Sequence, residues 1–210
     1  MNSRVLIVST SIRKSSNSLA IAHYIKARIR GAQIMDIARR WDMSGLKEEL
    51  GTGETLIIVV PLYHDTISWT ATAFLEELAE LPFPFRNMAA IVHSGYPEAV
   101  HRSAAVDICR YFAESRGVKW LGELSPGLTS VVAGRPLEEA GGLFRNLRKA
   151  LDKAAAALER SEQIPDKAAA LSKRSSVPPR LLKVMGNISF AMEAKRKGLD
   201  VKRQPYSRND

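Results

Sequence analysis

The stretch that most constrains this chain is residues 5–18, V-L-I-V-S-T-S-I-R-K-S-S-N-S. Residues 5–8 form a continuous apolar run, the pattern of a short strand buried on both faces, and a helical apolar pattern begins only at Leu19. Everything between is small, hydroxylated or basic. When a buried strand turns directly into a helix, the first-turn N–H groups have no intrahelical partner and point into the loop, where the helix dipole favours negative charge. Five serines, Asn17 and Arg13 gathered at that point suit a phosphate. Ser and Asn donate to its oxygens without adding charge, and a planar guanidinium binds two of them at once. A polar turn that only caps a helix needs one such residue.

Two other phosphate loops are excluded by the letters. The dinucleotide fingerprint G-x-G-x-x-G needs glycines that this loop lacks, and the triphosphate loop needs G-K-S or G-K-T. The stretch instead resembles the first loop of flavodoxin-like NADPH-dependent FMN reductases, S-x-R-x-x-x-N-S/T, with Ser11, Arg13, Asn17 and Ser18 at the motif positions. The resemblance implies that these residues, with Ser16 beside them, hold the FMN phosphate.

In chain order, the spacing predicts a first helix from Leu19 ending near Gly31, a short strand over residues 33–38 and a short helix over residues 43–50, closed by Gly51 and Gly53. Residues 55–60 are the strongest strand, apolar and mostly β-branched, and are expected to be central and to stop at Pro61. A helix over residues 69–80 follows. The intervening P-L-Y-H-D-T-I-S resembles the second flavin loop of the same family, with Pro61, Tyr63 and Ser68 matching. His64, Asp65, Trp69 and Thr72 depart from it. The resemblance places Pro61, Leu62, Tyr63 and His64 at the flavin ring.

Residues 88–92 make a fourth strand, and H-S-G-Y-P-E leaves it, similar to the family's third flavin loop. That adds Ser94, Gly95 and Tyr96, with Gly95 permitting close approach or positive φ. His93 and His64 fall at strand ends expected to be neighbours. A fourth helix over residues 100–116 is expected to bury Ala104, Ile108, Tyr111 and Phe112, and a fifth strand covers residues 118–121 with Leu124. A Gly/Pro/Ser loop, residues 122–135, is long enough to reach over a pocket, and Pro136 opens a long helix.

Five strands alternating with five helices imply an α/β fold, a doubly wound parallel sheet with right-handed crossovers. A receiver domain needs acidic residues after strand one, where Ser9 and Thr10 stand. In the flavodoxin-like order 2-1-3-4-5, strands one and three are neighbours at the switch point, so the polar loops converge. Residues 1–160 are read as the flavodoxin-like FMN-binding domain, and residues 161–210 as a basic helical C-terminal extension. In that extension Leu181, Met185, Ile188 and Met192 form one helical stripe that ends in Lys195, Arg196, Lys197 and Gly198.

The chain's 210 residues, 45% hydrophobic and 25% charged, suit one main domain with a real core. Of the net charge of +9, residues 161–210 hold +6, so the basicity belongs to the extension and predicts no nucleic-acid partner. Cys109 is the only cysteine, which excludes a disulfide framework and a cysteine-ligated metal. His23 lacks a second ligand nearby, and no metal site is expected. The longest apolar run is far short of the about 20 residues of a membrane span, and a cytoplasmic setting is expected.

Two functional readings follow. The resemblance implies an FMN-dependent oxidoreductase that takes hydride from NADPH or NADH and reduces flavin, quinone or another small acceptor, as a homodimer or higher oligomer. The other is a flavodoxin-like flavin-binding or flavin-free interaction protein without turnover. No protein side chain is assigned as catalytic, since hydride chemistry belongs to the flavin.

Overall fold

A computed structural model describes residues 5–39, 54–82, 85–175 and 177–199. The helix expected over residues 43–50 and its closing glycines lie outside the described residues. Strands β1 (Val5–Ser9), β2 (Gln33–Asp36) and β3 (Thr55–Tyr63) are followed by the two-residue β4 (Thr66–Ile67), then β5 (Asn87–His93) and β6 (Lys119–Leu124). The sheet order is β2-β1-β3-β5-β6, every one of these pairs parallel, with β4 antiparallel to the end of β3. With β4 set aside, this is the expected doubly wound order 2-1-3-4-5.

Side-chain alternation along the strands builds two cores. Val5, Ile7, Ile57, Val59, Ala89 and Ile91 face one side, where they meet α1 (Asn17–Lys26) through Ile21 and Ile25 and, further along the chain, a helix carrying Leu147, Leu151 and Leu158. Leu6, Val8, Leu56, Ile58, Val60, Met88, Ala90 and Val92 face the other, against α2 (Trp69–Glu80) through Phe74 and Leu78 and against α3 (Ser103–Ser115) through Ala105, Cys109 and Ala113. Each fully buried Val, Leu or Ile contributes about 1.5–3 kcal/mol. Both faces of β1, β3 and β5 are therefore apolar, as the unbroken runs require. In β6 one extra residue between the partners of Met88 and Ala90 makes a bulge, which is why Leu121 and Leu124, three apart, share a core.

Several expected boundaries move. Strand β3 does not stop at Pro61: β1 leaves its ladder at the Ser9–Val59 pair, so beyond it one flank of β3 is free of β1 and a missing N–H is tolerated. Strand β2 ends at Asp36 and passes into a 3-10 turn, Ile37–Arg39. The face expected on α3 is rotated. Ala104, Ile108 and Tyr111 are exposed, while the small residues Ala105, Cys109 and Ala113 bring the helix close to the sheet. Pro136 opens no long helix; α4 (Arg145–Leu158) starts after Gly141 and Gly142.

The short α5 (Asp166–Ser172) packs with the sheet: Ile164 N–H donates to Leu121 O at 2.7 Å, and Ser125 N–H donates to Ser172 Oγ at 2.9 Å. Residues 161–175, read from sequence as part of the extension, thus join the first of two compact units, which are Met1–Ser176 and Val177–Asp210. The second unit contains α6 (Pro179–Arg196), on which Leu181, Met185, Ile188 and Met192 are each at least half exposed. Leu199 N–H donates to Ala194 O past Gly198, closing the helix. Among the described residues no helix is long and apolar enough to cross a membrane.

Candidate functional site

The loops leaving the carboxyl ends of β1, β3, β5 and β6 enclose a cavity of about 350 Å³, within the range of small-ligand pockets. Loop one is fixed from beneath. Thr10 donates from both its N–H and its hydroxyl to Val59 O at 3.1 Å. Its own carbonyl accepts the hydroxyls of Ser68 (3.1 Å) and Thr70 (2.5 Å), Ser68 being the N-cap of α2. Ser68, a match to the second flavin loop, therefore ties that loop to the first. Ser16 caps α1, its Oγ accepting Leu19 N–H at 3.0 Å, and Ser11 Oγ accepts Arg13 N–H at 3.2 Å.

Ten of the twelve residues proposed from sequence line this cavity: Ser11, Arg13, Ser16, Asn17, Ser18, Pro61, Leu62, Tyr63, Ser94 and Gly95. His64 and Tyr96 do not. His64 (φ 51°) and Asp65 (φ 59°) both occupy the left-handed region and form the two-residue turn between Tyr63 and Thr66. That turn sends the exposed His64 away from the wall. Tyr96 is 62% exposed and lies against the His101 ring, centroids 5.4 Å apart, and His101 Nδ1 is 3.2 Å from Asp65. Gly95 does not have positive φ, and a Cβ there would meet Ser130 Oγ at 3.4 Å, an ordinary contact.

A type I′ turn of His-Asp stores backbone strain that Asn-Gly does not. The double change His64→Asn/Asp65→Gly is expected to raise unfolding stability by about 1 kcal/mol, net of an exposed Asp65–His101 pair worth about 0–1 kcal/mol. Urea denaturation checks it. A loss of stability would mean that the pair outweighs the backbone relief.

The cavity's remaining wall comes from the loop after β6, namely Thr129, Ser130, Ala133 and Gly134, with Ser15 and His93. The sequence showed only that this loop had the length and composition to reach over a pocket. Gly134 N–H donates to Asn17 Oδ1 at 2.8 Å, so the Asn17 amide holds the loop with its oxygen and keeps its NH₂ for the cavity.

On the floor, His93 Nε2 is 2.7 Å from Ser18 Oγ, and Nδ1 is 2.9 Å from Thr129 Oγ1. Thr129 Oγ1 donates to Ser94 O at 2.9 Å, so it accepts from His93 Nδ1–H, and Nε2 accepts from the Ser18 hydroxyl. Burial first, and the charge of Arg102 second, push the His93 pKa down to about 3, so the ring is neutral. A histidine this weakly basic is a poor proton acceptor for Ser18, and the chain of bonds positions rather than activates. The Ser18 hydroxyl, grouped by sequence with the phosphate donors, has its proton committed to His93. Its backbone N–H, in the first turn of α1, is the donor it has left for the cavity.

The lining has two groups of residues. One gathers Ser11, Arg13, Ser16 and Asn17 at the N-terminus of α1, and the other is Pro61, Leu62 and Tyr63. No carboxylate lines the cavity among the described residues. Nor does any group of three His, Cys, Asp or Glu among them have the placement to hold a metal ion.

No family model and no curated protein matches this chain. Solved structures do. A flavodoxin, WrbA-like protein from Agrobacterium tumefaciens superposes with a TM-score of 0.56 at 16% identity, covering 77% of this chain and 99% of its own. The apo form of an NADH:FMN oxidoreductase does so with 0.56 at 17%, covering 86% and 98%. A flavone reductase gives 0.51 at 12%, covering 83% and 72%. The fold is flavodoxin-like. In a flavodoxin-like sheet of this order, the crevice at the switch point between β1 and β3 is where a ligand is expected, and it is where this cavity lies.

Proposed function

We propose that the protein is an FMN-dependent oxidoreductase that takes hydride from NADPH or NADH and passes electrons to a small acceptor such as a flavin or quinone. The observation that carries this reading is the composition of the lining: a helix N-terminus with Arg13, hydroxyls and the Asn17 amide, without a carboxylate among the described residues, together with a proline, a leucine and a tyrosine from the end of β3. A dianionic phosphate suits the first and a flat ring the second. The residues fit the group. Arg13, Ser11, Ser16 and the Asn17 NH₂ would hold the phosphate, with the backbone N–H groups of Asn17 and Ser18, while Pro61, Leu62, Tyr63, Ser94 and Gly95 would border the ring. Bound FMN would supply the hydride chemistry. The chain's part is to orient the ring, exclude water from it and leave one face open to the nicotinamide and the acceptor.

A homodimer in the cytoplasm completes the proposal. The half-exposed stripe of α6 supports a second subunit as its cover, and the single, buried, reduced Cys109 suits a reducing compartment.

The test is a pair of titrations on purified protein. Yellow protein that releases FMN on denaturation is expected. Arg13→Ala is expected to weaken FMN by roughly ten- to hundredfold, the value of a charge-assisted hydrogen bond, and riboflavin much less, because riboflavin has no phosphate. Equal weakening of both ligands would remove the phosphate assignment, and protein that takes up no flavin would remove the function.

A further inference from the structure

Arg102 is fully buried and ranks first by volume among the fully buried side chains. It sits one residue before α3, behind the wall formed by the loop after β5. Nε donates to Ser125 Oγ at 3.0 Å and Ser125 O at 3.2 Å. One terminal nitrogen donates to Ser94 Oγ and Tyr96 O, both at 2.8 Å, and the other to Pro97 O at 3.4 Å. Each of these acceptors is a neutral oxygen. Glu98, whose charge bears on it, is exposed and forms no ion pair with it among the described residues. Charges are rarely buried without a partner, and a neutral amide would join two loops at lower desolvation cost.

We propose that Arg102 is a positioning residue whose buried charge also gives the inner wall of the cavity a positive potential, so that the site favours the reduced, more negatively charged form of the ring it binds. This rests on the FMN reading above. The guanidinium reaches the cavity through one bond, since Ser94 is itself a lining residue. The Arg102 side chain has no surface open to water beneath the loop after β5, so its field at Ser94 is screened less than that of a surface charge. His93, on the same lining, already registers that field: the Arg102 charge is the second cause of its lowered pKa. Burial lowers the Arg102 pKa to about 10, which leaves it protonated at neutral pH.

The experiment is a dithionite redox titration, with a mediator dye, of the FMN-loaded parent and three variants. Arg102→Met removes the charge and its bonds. Ser125→Asp sets a carboxylate against Nε and cancels the charge, while the terminal nitrogens stay on Ser94 and Tyr96. Arg102→Lys keeps the charge. In the first two, the affinity for reduced relative to oxidised FMN is expected to fall at least tenfold, a potential lower by about 30 mV for a two-electron couple. In Arg102→Lys it is expected to stay within about threefold of the parent. A Ser125→Asp protein with the parent's ratio overturns the electrostatic role, and it decides the matter if Arg102→Met fails to fold. Hydrogen exchange on flavin-free protein separates this from the functional reading. The Ser94 and Thr129 amides should exchange faster in Arg102→Met and not in Ser125→Asp, and unchanged exchange in Arg102→Met overturns the positioning role. A parent that takes up no FMN brings down the proposed function and the redox effect together, while exchange still decides the positioning.

Discussion

Replacing Gly134 by valine is expected to weaken FMN binding by about tenfold. Gly134 has φ +71°, which a β-branched residue adopts only at a cost of about 1–2 kcal/mol. A Cβ there would sit 2.5 Å from Ser15 Oγ and 3.3 Å from the Ser15 backbone C and O, so the Ser15 hydroxyl has to turn aside and the two backbones have to ease apart by a few tenths of an ångström. That shift weakens the 2.8 Å bond from Gly134 N–H to Asn17 Oδ1, worth about 1 kcal/mol, and loosens the Asn17 amide in the cavity wall. The φ strain falls on folding stability, so the loss in flavin affinity comes from the shifted loop and the weakened bond, about 1–2 kcal/mol. Gly141 provides the control, because it has φ +70° with nothing within 4 Å of a Cβ. Both valine variants should lose stability in urea, and only Gly134→Val should lose flavin in a fluorescence titration. Equal flavin affinity in the two would mean that the contact between loop one and the loop after β6 does not shape the site.

Acid should unfold this protein through His93. The folded ring has its pKa pushed down to about 3 by burial, with the Arg102 charge adding to the effect, against the ordinary 6.5 in the unfolded chain. Between those values the unfolded state binds a proton that the folded state refuses. The stabilising contribution is therefore complete above about pH 6.5 and is lost as pH falls, at about 1.4 kcal/mol per pH unit, until the folded ring itself titrates. Between pH 6.5 and pH 5 that amounts to roughly 2 kcal/mol. His93→Gln removes the titration, whatever it costs at neutral pH. Urea unfolding at the two pH values should show the parent losing about 2 kcal/mol more than the variant. Equal losses would mean that the His93 ring is not held neutral in the fold.

Asn17 and Gly134 join loop one to the loop after β6, while Ser18, His93, Thr129 and Ser94 join loop one to the end of β5 and the loop after β6. A ligand in the cavity would touch loops that are already bonded to one another, so less ordering is left to oppose its binding.

The sequence by itself determined the strands, because four or five consecutive apolar residues bury on both faces whatever surrounds them, as in β1, β3 and β5. It placed the hydroxyls and Arg13 of loop one at a helix N-terminus as well, since a helix that follows a buried strand is a local arrangement. The reading of β3 as ending at Pro61 failed because a proline's tolerance depends on whether a neighbour strand is still alongside. The face of α3 was misread by one position because large apolar residues outweighed alanine and cysteine in the periodicity, whereas close packing on the sheet selects the small ones.

Tertiary structure alone decided the chemistry of the floor. Ser18 and His93 are 75 residues apart in the chain, and His93 and Thr129 are 36 apart. Only the strand order and the return of the loop after β6 make them partners, and only that partnership fixes which atom carries the proton. Arg102 gave no signal at all in sequence, since an arginine is ordinarily at the surface. Its burial follows from five oxygens that three separate stretches, residues 94, 96–97 and 125, bring around one guanidinium. Local patterns determine what a segment becomes because their causes lie within a few residues, whereas hydrogen-bond partners and dielectric surroundings are properties of the folded neighbourhood.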